Sequence, residues 1–325
     1  MKCMLKNWLT KENIITTVLL LAFAIGVQVL YTTELIGPFV MLNLIIIAIN
    51  IILAVSLNLV VGFTGQFSIG HAGFMALGAY ASAIMTLNFN APFIVSLLVG
   101  AVVAGIGGII IGIPTLRLKG DYLAIATLGL AEIIRGVITN IDYLGGAYGL
   151  MGITQRTNWP WAFGAMLVTI LVIKNFVQSS HGRACISVRE NEIAAEAMGI
   201  NTTKYKVIAF TMGSFFAGIG GALLAHYITF IEPNAFNFLK SFDILVMVVL
   251  GGQGSITGSV VAAIVLTLVS TFLQSLAELR LIIYAIILIL VMLFRPQGLL
   301  GNHELSYKFF QRKRGVSHGS PSADA

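Results

Sequence analysis

Glu132 and Arg135 stand three residues apart inside an apolar run, a spacing at which opposite charges meet on one helix face. Ionisable groups at membrane depth mark solute or proton pathways by default. A pair that neutralises itself and holds helices in register is the structural alternative, and a position near the end of the run leaves both readings open. His71 is a second titratable side chain that could serve as a proton carrier or ligand. It lies among glycines with no metal partner at useful spacing, which favours packing or hydrogen bonding over chemistry. No nucleophile with its base, no paired carboxylates and no clustered ligands are recognisable, so the sequence offers neither a catalytic centre nor a metal site. It also lacks a GxxxxGK[ST] loop and so has no P-loop to cradle nucleotide phosphates. The chain reads as a non-enzyme, and the energy for any active transport comes from an ion gradient or another subunit.

The most polar interruption of the apolar pattern is 182–206, GRACISVRENEIAAEAMGINTTKYK. Ser187 followed by Glu190 reads as a capping box, and Gly199 as the stop, giving a water-exposed helix over about 187–199. Ile193 with Ala197 and Ala194 with Met198 form a small apolar face at the i, i+4 spacing, while Arg189, Glu190, Glu192 and Glu196 are expected to remain in water. Such a helix can lie on a membrane or dock into another protein's groove. Its glutamates would be repelled by anionic headgroups, which favours a protein partner.

These features need a scaffold, and the composition supplies one. The 325 residues are 58% hydrophobic and 10% charged, with net charge +6. That is far too apolar for a water-soluble globule and indicates an all-α polytopic integral membrane protein. Basic residues occur in short clusters between apolar runs, without the basic and aromatic interleaving of a nucleic-acid surface. About ten transmembrane helices are expected, some broken: 14–31, 39–61, 62–80, 92–113, 122–138, one beginning near Trp161, 207–227, 242–250 (short enough for a half-span), 259–275 and 281–294. Asn43, Asn50, Ser56 and Asn58 in the second should face other helices. With the N- and C-termini in the cytoplasm, that side collects Arg117, Lys119, Lys174, Arg183, Arg189, Lys204, Lys206 and the terminal basic residues, leaving Arg156, Lys240 and Arg280 outside. Cys3 and Cys185 then share the reducing side, and no disulfide is expected. Residues 1–301 form one permease-like membrane domain, and 302–325 are expected to be a disordered cytoplasmic tail.

The segment 62–80, GFTGQFSIGHAGFMALGAY, carries glycine too densely for an ordinary span and reads as a broken or re-entrant entry into a helix, buried in protein or lining a cavity. Its Gly65-Gln66-Phe67-Ser68-Ile69 is echoed by Gly252-Gln253-Gly254-Ser255-Ile256 at four of five positions. Paired interruptions of this kind are the sequence sign of a duplicated transporter with its pathway between the halves. Gly65, Gln66, Ser68, His71, Glu132, Arg135, Gly252, Gln253 and Ser255 are accordingly the candidate pathway residues.

RENEIAAEAMGINTTKYK and GFTGQFSIGHAGFMALGAY, with GDYLAIATLGLAEIIR, GGAYGLMGI, VLGGQGSITG and FRPQGLLG in order over about 50–301, resemble the LivM-type permease subunits of branched-chain amino acid ABC importers. The resemblance implies import of leucine, isoleucine and valine through a bacterial inner membrane. It implies a second similar permease, two cytoplasmic ATPases that use the ATP, an external solute-binding protein, and no cofactor on this chain. It assigns the 187–199 helix to coupling, through Arg189, Glu190, Glu192, Ala194, Ala195, Glu196 and Gly199. Against the importer motif EAAxxxG the alanine pair and glycine fit, whereas the glutamate falls one position early, at Glu192, with Ile193 in its place. Related permeases serve urea and short amides, and a gradient-driven secondary transporter is the alternative class.

Overall fold

The computed structural model describes residues 26–33, 37–116, 118, 120–273 and positions 283, 286, 289 and 293. Ten α-helices are followed here: α1 (Pro38–Asn58), α2 (His71–Phe89), α3 (Phe93–Thr115), α4 (Asp121–Thr139), α5 (Trp159–Gln178), α6 (Ser180–Glu190), α7 (Glu192–Ala197), α8 (Thr202–Ile228), α9 (Phe238–Gly251) and α10 (Ile256–Phe272). Among the described residues the extended structure is a single bridge, Leu150 to Ile231. Within the described residues seven helical stretches are long and apolar enough to cross a membrane, and Ile256–Phe272 is a shorter apolar helix. The protein is therefore an all-α polytopic membrane protein. Most of the expected first helix, all but a few positions of the expected last and the whole 302–325 tail lie outside the described residues.

α1 is the central post. Every residue from Ile49 to Asn58 is buried, which explains why its polar side chains had to find partners. Asn50 donates to Thr267 (3.0 Å), Thr271 donates to Asn43 (2.7 Å), and Asn58 bonds the backbone at Gly254 and Ser255. Ser56 bonds His71 of α2 (2.8 Å), so Asn43, Asn50 and Ser56 meet other helices, as expected from the lack of water at that depth, and Asn58 meets the break before α10.

α2, α3 and α8 pack as a trio through small residues. A side chain at Gly218 would bring its Cβ within 2.6 Å of Ala104 Cβ and 2.9 Å of the Gly100 carbonyl oxygen, closer than folded proteins allow. Apolar burial gives little drive between helices in lipid, so van der Waals contact at this close approach holds them together.

Two helices are interrupted. α1 passes through a π turn, Leu59–Phe63, into an irregular stretch that ends where α2 begins at His71. Side chains satisfy the backbone there: Thr127 accepts from Ile69 N (3.1 Å) and Ser241 from Ala72 N (3.1 Å). The second interruption lies between α9 and α10, with Gly252 and Gly254 at φ 107° and 85° and Ser255 capping α10. The sequence echo aligns Gly65, at φ 72°, with Gly252, so both copies begin on backbone that only glycine adopts without strain.

Lys240 corrects an expectation. It sits not in an outer loop but in the first turn of α9, which begins at Phe238 behind an Asn237 cap, and its ammonium reaches Asn50 Oδ1 (3.3 Å) halfway along α1. The short 3-10 turn Pro233–Phe236, with Pro233 and Phe236 buried, leads into α9, whose first residues Phe238 and Leu239 are exposed while Lys240 turns toward α1. Sequence periodicity missed this because Lys240 precedes the uninterrupted apolar run.

Candidate functional site: a polar lever beneath two broken helices

The chain leaves α5 through Ser179, whose hydroxyl accepts from Gly182 N and caps α6. α6 runs to Glu190 and stops at Asn191, which is extended (φ −160°, ψ 108°) and whose Oδ1 accepts from Ala194 N to start α7. Gly199 ends that turn at φ 81°, and Asn201 caps α8. The expected single helix over 187–199 is thus two helices at an Asn hinge. Ser187 lies within α6 and donates to the Ala184 carbonyl, while the Glu190 carboxylate pairs with Arg189, so the capping box does not form. Asn191 prevails because its short amide caps a following turn more effectively than it supports a helix interior.

Of the four charged residues expected in water, Glu190 and Glu196 are exposed, whereas Arg189 and Glu192 are half-buried. Lys206, 8% exposed, binds Glu192 at 2.6 Å, and Thr202 donates to Glu196 (2.7 Å). Both contacts fasten α7 to the start of α8. Arg189 reaches the other way: Nη1 donates to the Gly62 carbonyl in the π turn (2.9 Å), while Nε and Nη2 bind Glu190. A π turn shifts its hydrogen bonds by one residue and turns a carbonyl toward such a donor. The arginine also packs on Gly65, whose added Cβ would lie 3.0 Å from Arg189 Cγ, and on Gly254, whose Cβ would lie 2.8 Å from Arg189 Nη1. One guanidinium therefore touches both interruptions. α7 and its C-cap leave two large apolar side chains exposed, Ile193 at 76% and Met198 at 83%, with Ala194, Glu196 and Ala197 exposed beside them, while Ala195 turns inward.

The structure divides the candidate pathway residues. Gly65, Gln66, Ser68 and His71 line the first interruption, Gly252, Gln253 and Ser255 the second, and Asn58 joins the two by donating to Ser255 O (2.8 Å) and accepting from Gly254 N (2.9 Å). Asn58 is the joint that sequence reading left as an unspecified interhelical polar group. His71 is buried against Ser56 Oγ (2.8 Å), a structural hydrogen bond. Gln253 is exposed, whereas Gln66 is buried. Glu132 and Arg135 lie elsewhere on α4 as a 2.6 Å pair, each side chain about a third exposed, and Arg135 also donates to Asn234 (3.1 Å). The pair ties α4 to the 3-10 turn that leads into α9. Beside the lever, Cys185 is fully buried, and burial pushes its thiol up to about 11, only partly offset by the Thr64 hydroxyl. Among the described residues no group of three or more His, Cys, Asp or Glu is placed to hold a metal ion.

Interrupted membrane helices that meet at a buried joint, with a polar lever on one face, define a transport permease. The family model described as "Branched-chain amino acid transport system / permease component" matches residues 39–292, and the chain belongs to that family. It is 33% identical over 287 residues to the high-affinity branched-chain amino acid transport system permease protein LivM of Salmonella typhimurium, covering 78% of this chain and 68% of the relative. The Escherichia coli LivM protein matches to the same extent. The LivH permease protein of Salmonella typhimurium is 25% identical over 78% of this chain and 92% of its own length. No solved structure matches.

Proposed function

We propose that this chain is a membrane subunit of an ATP-binding cassette importer that brings leucine, isoleucine and valine into the cytoplasm. ATP is bound and hydrolysed by two partner ATPases, and this chain contributes its half of the pathway and the mechanical link to them. A second permease of the same family completes the pathway, and an external solute-binding protein delivers the solute. The membrane is the bacterial inner membrane, with the lever and both termini on the cytoplasmic side. Membership of the permease family and similarity to both LivM and LivH proteins support this reading.

The observation that carries the mechanism is the position of Arg189. α7 offers a partner two large exposed apolar side chains, Ile193 and Met198, on a polar turn stiffened by Glu192–Lys206 and Glu196–Thr202. When the ATPases close, α7 moves with the groove that holds it. Arg189 transmits the movement to the Gly62 carbonyl and the Gly254 backbone, so both interruptions shift together about Asn58. The pathway residues Gly65, Gln66, Ser68, His71, Gly252, Gln253 and Ser255 lie at or beside those interruptions, while Glu132 and Arg135 brace the far side.

Uptake of labelled leucine into proteoliposomes holding this chain with its partner permease, ATPases and binding protein tests the proposal. ATP-dependent uptake blocked by isoleucine and valine but not by urea is expected. Equal uptake without ATP would replace the reading with a gradient-driven transporter, and ATP-dependent urea uptake without leucine uptake would change the solute class.

A further inference from the structure

A cavity of about 360 Å³ opens where the helical stretch 26–32, the first turns of α1 and the start of α5 come together. Its size falls within the ~300–1,000 Å³ of small-molecule sites. Its depth in the membrane follows from α5, which begins at the cavity with Trp159 and ends 20 residues later against α6 of the lever. That length rises about 30 Å, the thickness of a bilayer's hydrocarbon core. The cavity therefore lies at the membrane–water boundary opposite the lever. Tyr31, Trp159 and Tyr227 in its walls are the residue types that settle at such a boundary.

The lining changes character from mouth to inner end. At the mouth stand the amides of Gln28, Gln155 and Asn158 with the two phenols, all able to donate hydrogen bonds. Gln155 and Asn158 are exposed, and Asn158 makes no capping hydrogen bond although it holds the N-cap position of α5, so its amide is available to a ligand. The inner end is apolar, formed by Met41 and Ile45, one turn apart on α1. Among the described walls there is no Asp, Glu, Lys or Arg, so a small ion finds no counter-charge. Val29 and Leu30 beside Tyr31, and Phe39 and Val40 beside Pro38, are exposed, so the cavity borders a surface made for hydrocarbon. Donors at the mouth, an apolar end behind them and lipid-facing side chains alongside match a molecule that carries ester carbonyls, which only accept, followed by alkyl chains.

We propose that this cavity binds the glycerol-ester region of a membrane phospholipid. The ester carbonyls accept from the amides and phenols, the first methylenes of one chain lie toward Met41 and Ile45, and the rest of the chains runs outside over the exposed side chains of 26–32 and α1. The headgroup stays in water, so its charge does not select the lipid. Bound in this way, one lipid bridges the 26–32 helix to α1 and α5, whichever solute the permease carries.

The test uses the complete permease–ATPase complex in detergent micelles, titrated with a phosphatidylcholine that carries a photoreactive diazirine near the ester end of one chain, with the labelled residues located by mass spectrometry. Saturable labelling at Met41, Ile45 and Trp159 is expected, whereas labelling of the exposed α3 face at Ile106 and Ile110 should rise linearly with lipid, as unselective solvation does. Unlabelled phosphatidylcholine and phosphatidylglycerol should displace the probe equally well. Glycerophosphocholine, which has the headgroup without esters or chains, should be weaker by about tenfold or more, because it buries no methylenes. Gln155→Leu with Asn158→Leu removes two exposed donors and no capping bond, and should weaken the saturable labelling by about tenfold. Ile45→Phe, which fills the inner end, should do the same in a complex that still elutes as one species, and if that variant fails to assemble the exposed pair decides. Labelling at the cavity no more saturable than on α3, displacement by glycerophosphocholine as strong as by lipid, a tenfold preference for either headgroup, or labelling unchanged in the Gln155 and Asn158 double variant would each overturn the proposal.

Discussion

Replacing Arg189 by alanine cuts the lever from the broken helices. The guanidinium makes two kinds of contact. Its bond to the Gly62 carbonyl is charge-assisted and part-buried, with the arginine side chain 27% exposed, whereas its partner Glu190 is 66% exposed. A hydrogen bond from a charged group contributes about 1.5–3 kcal/mol. The exposed ion pair adds at most about 1 kcal/mol. Because Glu190 lies on α6 itself, the connection between α6 and the π turn is the Gly62 bond alone, worth about 2 kcal/mol, and losing it lowers the ratio of engaged to disengaged lever by roughly thirtyfold. The fold should survive, because Cys185 and Val188 still bury α6 against the domain.

The assay is the ratio of leucine imported to ATP hydrolysed in proteoliposomes of the complete complex. Arg189→Ala should leave ATP hydrolysis near wild type and reduce that ratio at least about tenfold, the smaller figure allowing for the residual packing of α6. Arg189→Lys should be intermediate, since an ammonium reaches Gly62 or Glu190 but cannot hold both as a planar fork does. An unchanged ratio in Arg189→Ala would refute the proposed route of coupling. A proportional loss of both uptake and hydrolysis would refute it too, because that pattern belongs to lost assembly.

Ile193→Asp with Met198→Asp should weaken ATPase association by about 2 kcal/mol or more, roughly thirtyfold, without lowering the melting temperature of the isolated chain, as pull-down and thermal shift would show. Glu192→Gln strands Lys206, whose side chain is 10% exposed, and should destabilise the chain by about 2–4 kcal/mol in a denaturation midpoint, with Lys206→Met in the same chain recovering most of it. Gly218→Val should lose folded protein on size-exclusion chromatography, since the Ala104 and Gly100 contacts are too close to yield and overpacking costs about 1–3 kcal/mol even where neighbours can move. Cys185, fully buried and with its thiol raised to about 11, should resist maleimide at pH 8 in the folded chain and react on unfolding. The sign follows from the raised value: the folded state keeps the proton longer than the unfolded one, so this residue's contribution to stability is constant below about 9 and is lost as pH rises toward 11.

Composition and apolar run lengths made the fold class legible, because lipid demands long apolar helices whatever their order. The polar residues of α1 were legible for the same reason: Asn43, Asn50, Ser56 and Asn58 have no water to turn to. The exposed apolar residues of α7 could be seen at their i, i+4 spacing. What stayed hidden depended on pairing over long sequence separations. Nothing near Arg189 in the chain points to Gly62, and Lys206 looked like one more basic residue of a cytoplasmic segment until its partner across Asn201 was known. The division at Asn191 was hidden differently. Ser187 and Glu190 have the right spacing for a capping box, but Asn191 and Asn201 cap α7 and α8 from positions that the box would have placed inside or after a single helix.

The hinge also bears on why the lever is built in two pieces. A single rigid helix from α5 to α8 would pass movement of its exposed turn to its neighbours only as a body. Here α7 is anchored to α8 by Glu192 and Glu196, and α6 is anchored to the π turn by Arg189, so one displacement is divided at Asn191 between two targets. α8 belongs to the tightly packed trio with α2 and α3, where close backbone contact resists deformation. The Gly62 and Gly254 backbone, by contrast, lies at two breaks whose hydrogen bonds are completed by side chains, which are easier to exchange than helical ladders. Under the proposed coupling, force applied at α7 would be opposed by a stiff support and absorbed where the chain is already broken. The proposed coupling would then place the movement at the residues the sequence echo marks twice.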